Sequence, residues 1–97
     1  MDQTGGFDWD DAKAAANLAK HGVSFDEAQT VFGDPRAVTG YDASHSLVED
    51  RFLTIGLSSR FRLLTVIHTD VGNDIRIISA RDASTNERKQ YVEANPT

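Results

Sequence analysis

Three apolar runs dominate the pattern along the chain. Residues 51–57, 61–69 and 74–80 are dense in Ile, Leu, Val, Thr and Phe, and short connectors, Ser58-Ser59-Arg60 and Asp70-Val71-Gly72-Asn73, separate them. Connectors of that length and type predict hairpins, so the segment reads as an antiparallel meander. The runs are apolar beyond simple alternation, which places them centrally in a sheet with helices covering at least one face.

The flanking pattern supplies those helices. After a frayed stretch over residues 1–6, Phe7-Asp8-Trp9-Asp10 predicts a short edge strand with Phe7 and Trp9 on one face. Asp10 or Asp11 then caps an Ala-rich helix in which Trp9, Ala12, Ala16 and Ala19 recur at helical spacing, and Gly22 closes it. Leu18 and Val23 are placed as the apolar pair of a Schellman ending. Lys20 and His21 fall in the last turn, where positive charge complements the helix dipole. Ser24-Phe25-Asp26-Glu27 has the form of a capping box. Phe25, Ala28, Val31 and Phe32 continue as the apolar stripe of a second helix, stopped by Gly33-Asp34-Pro35. Residues 37–39 predict a short strand and 40–50 a polar surface loop holding His45. Ser84-Thr85-Asn86-Glu87 opens a last helix that carries Arg88, Lys89, Tyr91 and Val92. The expected order is βααβ followed by βββα: an α+β fold with one mostly antiparallel sheet, two N-terminal helices and one C-terminal helix, packed on a face.

Length and composition narrow the class. With 97 residues, 39% hydrophobic and 26% charged, the chain fits a single globular domain spanning 1–97. It has no Cys, hence no disulfide or thiolate chemistry. No signal peptide and no run near membrane-spanning length is apparent, so a cytoplasmic location without membrane contact is expected. The net charge of −5 is unevenly spread: residues 1–50 hold three Lys and Arg against ten carboxylates, and residues 51–97 hold seven against five. The acidic start of the second helix argues against a DNA-reading helix pair.

No P-loop, GxGxxG or nucleophile elbow is present, and His21, His45 and His68 lack metal-ligand spacing, so no cofactor is expected. Arginine and histidine on a small sheet remain. If Asp70-Val71-Gly72 forms a three-residue loop, Thr69 pairs with Asn73 and Val66 with Arg76, and Arg62, His68 and Arg76 share a face with Arg81 just beyond. Such a face suits metal-independent RNA cleavage, which needs cations around the phosphorane and groups to move protons. Arg76 and Arg81 are then phosphate clamps and His68 the acid or base. For Arg76, pairing with an internal carboxylate such as Glu87 is the plain structural alternative.

The residues also resemble a known family. FDWD at 7–10, Lys13, NLAKHGVSF at 17–25, Glu27-Ala28, Val31-Phe32, RFLTIG at 51–56, His68-Thr69, RIISAR at 76–81, Glu87-Arg88 and Tyr91 are similar to BrnT-type proteins (DUF497). The resemblance implies a RelE-like fold and a ribonuclease toxin of a type II toxin–antitoxin module, an RNA-cleaving inhibitor of translation and growth. It further implies neutralisation by a BrnA-type antitoxin, through which alone DNA would be contacted. Arg76, Arg81, His68, Lys20, His21 and Glu87 are the catalytic candidates, and Arg60, Arg62, Arg88 and Tyr91 the RNA-binding ones. The alternative is a RelE-like binding module with weak or no catalysis, retained to engage an antitoxin or repressor.

Overall fold

A computed structural model describes residues 5–42 and 50–96. The elements run β1 (Phe7–Asp8), α1 (Asp11–His21), α2 (Phe25–Gln29), a 3-10 turn (Thr30–Gly33), β2 (Val38–Tyr41), β3 (Phe52–Leu57), β4 (Leu63–Val71), β5 (Asp74–Asp82) and α3 (Thr85–Ala94). The strands form one sheet in the order β1-β5-β4-β3-β2, with β1 parallel to β5 and every other pair antiparallel. Element order and sheet type are those the pattern predicts.

Local signals set the helix ends. The Asp10 carboxylate accepts from the amides of Ala12 and Lys13 at 2.8 and 3.4 Å, so Asp10 caps α1. Gly22 ends it at φ +70°, where its amide donates to the Leu18 carbonyl at 2.9 Å. Ser24 caps α2 by accepting from the Glu27 amide at 3.0 Å. The reciprocal half of that capping box is missing, because the Glu27 side chain turns to Arg62 and Ser58. Ser84 and Glu87 complete both halves at α3.

The core lies between the α1–α2 side and one face of the sheet. Val23, Phe25, Ala28 and Val31 pack on Leu64, Val66, Ile77 and Ala80, with Trp9, Ala14 and Phe32 against them. Each fully buried Val, Leu, Ile or Phe contributes ~1.5–3 kcal/mol. Close approach requires Gly56, since a Cβ there would stand 2.7 Å from Val31 Cγ1 and 3.1 Å from the Ala37 Cβ.

Three expectations are corrected. First, α1 does not rest on Ala12, Ala16 and Ala19, which are exposed; its buried position is Asn17, flanked by half-buried Ala14 and His21. Second, the helices do not share a face. Thr65 points away from the Leu64–Val66 core side and donates to Glu87 of α3 at 2.8 Å, so α3 lies on the opposite face. Third, the β4–β5 hairpin turns over two residues, Gly72 and Asn73, pairing Val71 with Asp74 and Thr69 with Arg76. Gly72, at φ +62°, takes the first central position, as glycine does in tight hairpins of the II′ kind.

Candidate active site

Arg76 and Arg81 are five residues apart, so in a regular strand they would face opposite ways. A bulge prevents this. Ile67 pairs with Ser79 but His68 pairs with Ile77, so Ile78 is an extra residue in β5. Arg76 therefore lies opposite Thr69 and Arg81 opposite Thr65, both on the face away from the core. His68 lies on the core face, and the predicted convergence of Arg62, His68 and Arg76 does not occur.

Arg81 is held as a fork. Its Nη1 and Nη2 donate to Glu87 Oε1 and Oε2 at 2.7 and 3.0 Å, and Nη1 reaches the Asp82 carbonyl at 3.3 Å. Glu87 Oε1 also accepts from the Thr65 hydroxyl and the Ser84 amide, both at 2.8 Å. These donors, Arg81 first, hold the Glu87 carboxyl down to about 2 against the opposing effect of burial. A carboxylate so firmly ionised is a poor proton carrier near neutrality, and it fixes the guanidinium in one plane. The same pairing raises the Arg81 pKa further, so its charge is permanent.

Arg81 borders a cleft of about 280 Å³ with Asp42, Arg51, Leu53, Ile67, Ile78 and Ser79. A second cleft, of about 230 Å³, is lined by Lys13, Ala16, Asn17, Lys20, His21 and the same Ile78 and Ser79. The bulge residue and its neighbour thus join the last turns of α1 to the arginine face of the sheet. Lys13, Lys20 and His21 thus line one cleft, and Arg51 and Arg81, with Asp42, line the other, in a chain of net charge −5. Asn17 holds this junction together: its Nδ2 donates to the carbonyls of Val23 and Ala80 at 3.0 and 2.8 Å, and its Oδ1 accepts from the Ala80 amide at 3.1 Å. It replaces the strand partner that β5 lacks beyond the end of β1.

The remaining candidates have separate surroundings. His68 is 5% exposed, with Nε2 2.8 Å from the Thr54 hydroxyl and with Phe32 and Phe52 rings against it; burial lowers its pKa. Arg76 binds Asp8 Oδ2 through Nε and Nη2 at 3.0 and 2.6 Å, an internal pairing with β1 in place of the expected Glu87. Arg62 pairs with the buried Glu27 and with the Gly22 carbonyl, which staples the β3–β4 loop to the α1–α2 turn. Arg62 lowers the Glu27 pKa in doing so. Tyr91 donates to Asp34 Oδ2 at 2.7 Å and anchors the end of α3. Arg60 and Arg88 are exposed, and His45 falls outside the described residues.

Sequence reasoning did not select Lys13, Asn17, Arg51, Thr65, Ile78 or Ser79. With the two-residue turn alone Thr65 would pair with Ala80, and only the bulge moves its partner to Arg81. Asn17, although it opens the NLAKHGVSF motif, carries no mark of its structural role among the alanines. Among the described residues no three His, Asp or Glu side chains gather as metal ligands, and no helix is long and apolar enough to cross a membrane.

The chain is thus a small α+β protein with one five-stranded sheet, whose outer face carries Arg81 clamped by Glu87. The family model for the ribonuclease toxin BrnT of type II toxin–antitoxin systems matches residues 9–87, and the chain belongs to that family. The crystal structure of the Brucella abortus ribonuclease toxin BrnT superimposes with a TM-score of 0.63 at 27% identity, covering 84% of this chain and 100% of that one. No curated protein matches the chain significantly. The family makes it a ribonuclease toxin with an antitoxin as its partner, and the α+β fold is that of the Brucella protein.

Proposed function

We propose that the chain is a metal-independent endoribonuclease acting in the cytoplasm, with single-stranded RNA crossing the two clefts that share Ile78 and Ser79 and a BrnA-type antitoxin as its neutralising partner. The observation that supports this reading is that Ile78 and Ser79 line both clefts, the one that holds His21, the only described histidine outside the core, and the one that holds Arg81. In the proposed reaction the RNA 2′-hydroxyl attacks the adjacent phosphorus, its proton passing to a base, and a protonated group returns a proton to the leaving 5′-oxygen. The products are a cyclic phosphate and a free 5′-hydroxyl. Arg81 stabilises the charge that develops on the phosphorane, its plane already set by Glu87. His21 is the proton carrier of this reading, and Lys13 and Lys20 bind flanking phosphates. Arg76, on the same face of β5 as Arg81, and the exposed Arg60 and Arg88 extend the track. His68, Arg62, Glu87 and Tyr91 act through the frame rather than on the substrate.

A second reading is a binding module in which Arg81 meets a carboxylate of the antitoxin. Its support is the bidentate Glu87 pairing, which already occupies part of the fork. Induced expression with RNA electrophoresis separates the two. On the enzyme reading, wild type arrests growth and degrades RNA, Arg81→Ala and His21→Ala do neither, and both variants still bind antitoxin. Loss of antitoxin binding by Arg81→Ala, with no RNA decay from a folded wild type, would establish the module instead.

A further inference from the structure

The loop between β3 and β4 carries a feature the cleft does not use. Phe61 is 83% exposed, and it is the one non-glycine residue among those described with positive φ, at +62°. A bulky side chain rarely takes that conformation, which glycine takes without cost. The loop is nonetheless firmly tied. Ser58 donates its amide to the Arg62 carbonyl at 2.8 Å and accepts the Phe61 amide on its own carbonyl at 2.9 Å. The Ser58 hydroxyl donates to Glu27 Oε2 at 2.7 Å, and the Ser59 amide donates to the Thr30 hydroxyl at 2.8 Å. A rigid backbone therefore presents an aromatic ring to solvent, so little conformational freedom is lost when something stacks on it.

The neighbours of the ring indicate the class of occupant. Arg60 precedes it with a side chain 75% exposed, its Nη1 3.8 Å from Glu27 Oε1, and Arg62 follows it, bound to the same carboxylate. A flat apolar face beside an accessible guanidinium complements an unstacked nucleobase and its phosphate, the combination that single-strand-binding surfaces use. Phe61 is also within reach of the cleft. Thr65, directly across from Arg81, is four residues on, at most ~14 Å of extended chain.

We infer that Phe61, with Arg60, forms a nucleobase-stacking subsite that seats a single-stranded RNA a few nucleotides from the Arg81 fork. The inference rests on the ribonuclease reading for its substrate, but it is testable apart from cleavage. The probe is a fluorescein-labelled single-stranded oligonucleotide with 2′-O-methyl riboses, which lacks the attacking hydroxyl and so reports binding alone. Phe61→Ala and Phe61→Gly are expected to weaken its binding roughly 5- to 100-fold, and Phe61→Trp to retain it. Phe61→Gly should melt no lower than wild type, which separates lost stacking from lost folding. Duplex RNA, whose bases are already stacked, should bind equally weakly to all four proteins. Equal binding of the single strand by wild type, Ala and Gly variants would overturn the inference, as would a wild type that does not bind it. Unchanged RNA binding in Phe61→Ala, with loss of neutralisation by a coexpressed BrnA-type antitoxin, would overturn it in favour of a protein-docking ring. If unmodified RNA is not cleaved while the probe still binds in a Phe61-dependent way, the catalytic reading fails and the subsite stands.

Discussion

At the scale of single residues, Glu87 and His68 illustrate two opposite uses of a titratable group. Glu87 is ionised by its donors, and its folded-state value of about 2 lies below the ordinary 4.5. Its stabilising contribution is therefore complete above about pH 4.5 and is lost as pH falls through about 2. Arg81 is 39% exposed, so solvent screening reduces the contribution to ~1–2 kcal/mol. Glu87→Gln should accordingly lower stability to urea at pH 7 by that amount, with the gap to wild type closing between pH 4.5 and 2. His68 is held neutral by burial, below its ordinary 6.5. The unfolded chain takes up the proton first as pH falls, so this part of the stability is complete above about 6.5 and erodes below it. Thermal melts from pH 7.5 to 5 should show a falling Tm in wild type and a shallower fall in His68→Gln. A histidine free in solvent would make the two slopes equal. The apolar run around His68 was legible in the sequence, but its direction was not, because a side chain's face in a hairpin depends on the register of the turn.

At the scale of elements, the joint between α1 and β5 carries the proposed site. An Ala-rich helix has no strong apolar stripe, so its orientation comes from the one polar side chain that finds partners. Asn17 supplies three hydrogen bonds across that joint. Asn17→Ala should destabilise the protein by ~2–4 kcal/mol, since buried carbonyl and amide groups lose their partners; urea unfolding monitored by Trp9 fluorescence would measure it. A change below ~0.5 kcal/mol would mean that the helix is seated by other contacts. The bulge at Ile78 acts on the same element. It alone puts Arg76 and Arg81 on one face, and nothing in RIISAR marks it, because every residue of the run suits a regular strand equally well.

At the scale of the whole molecule, a net charge of −5 coexists with local basic clusters: Lys13, Lys20 and His21 line one cleft, and Arg51 and Arg81, with Asp42, line another. If three or four cations contact phosphates, binding of single-stranded RNA should fall with salt with a log–log slope of roughly −2 to −3. A slope near zero in fluorescence anisotropy titrations between low and moderate salt would show that these clefts do not bind the backbone.

Read by itself, the sequence determined the element order, the antiparallel meander, the caps at Gly22, Ser24 and Ser84, the α1 cap to within Asp10 or Asp11, and the family. Those features depend on local spacing and on side chains acting within a turn of themselves. The tertiary structure alone decided the α3 face, the seat of α1 on Asn17, the Glu87 clamp on Arg81, and the burial of His68 away from the arginines. Each of these depends on strand register, and a single extra residue in β5 reverses the face of everything beyond it.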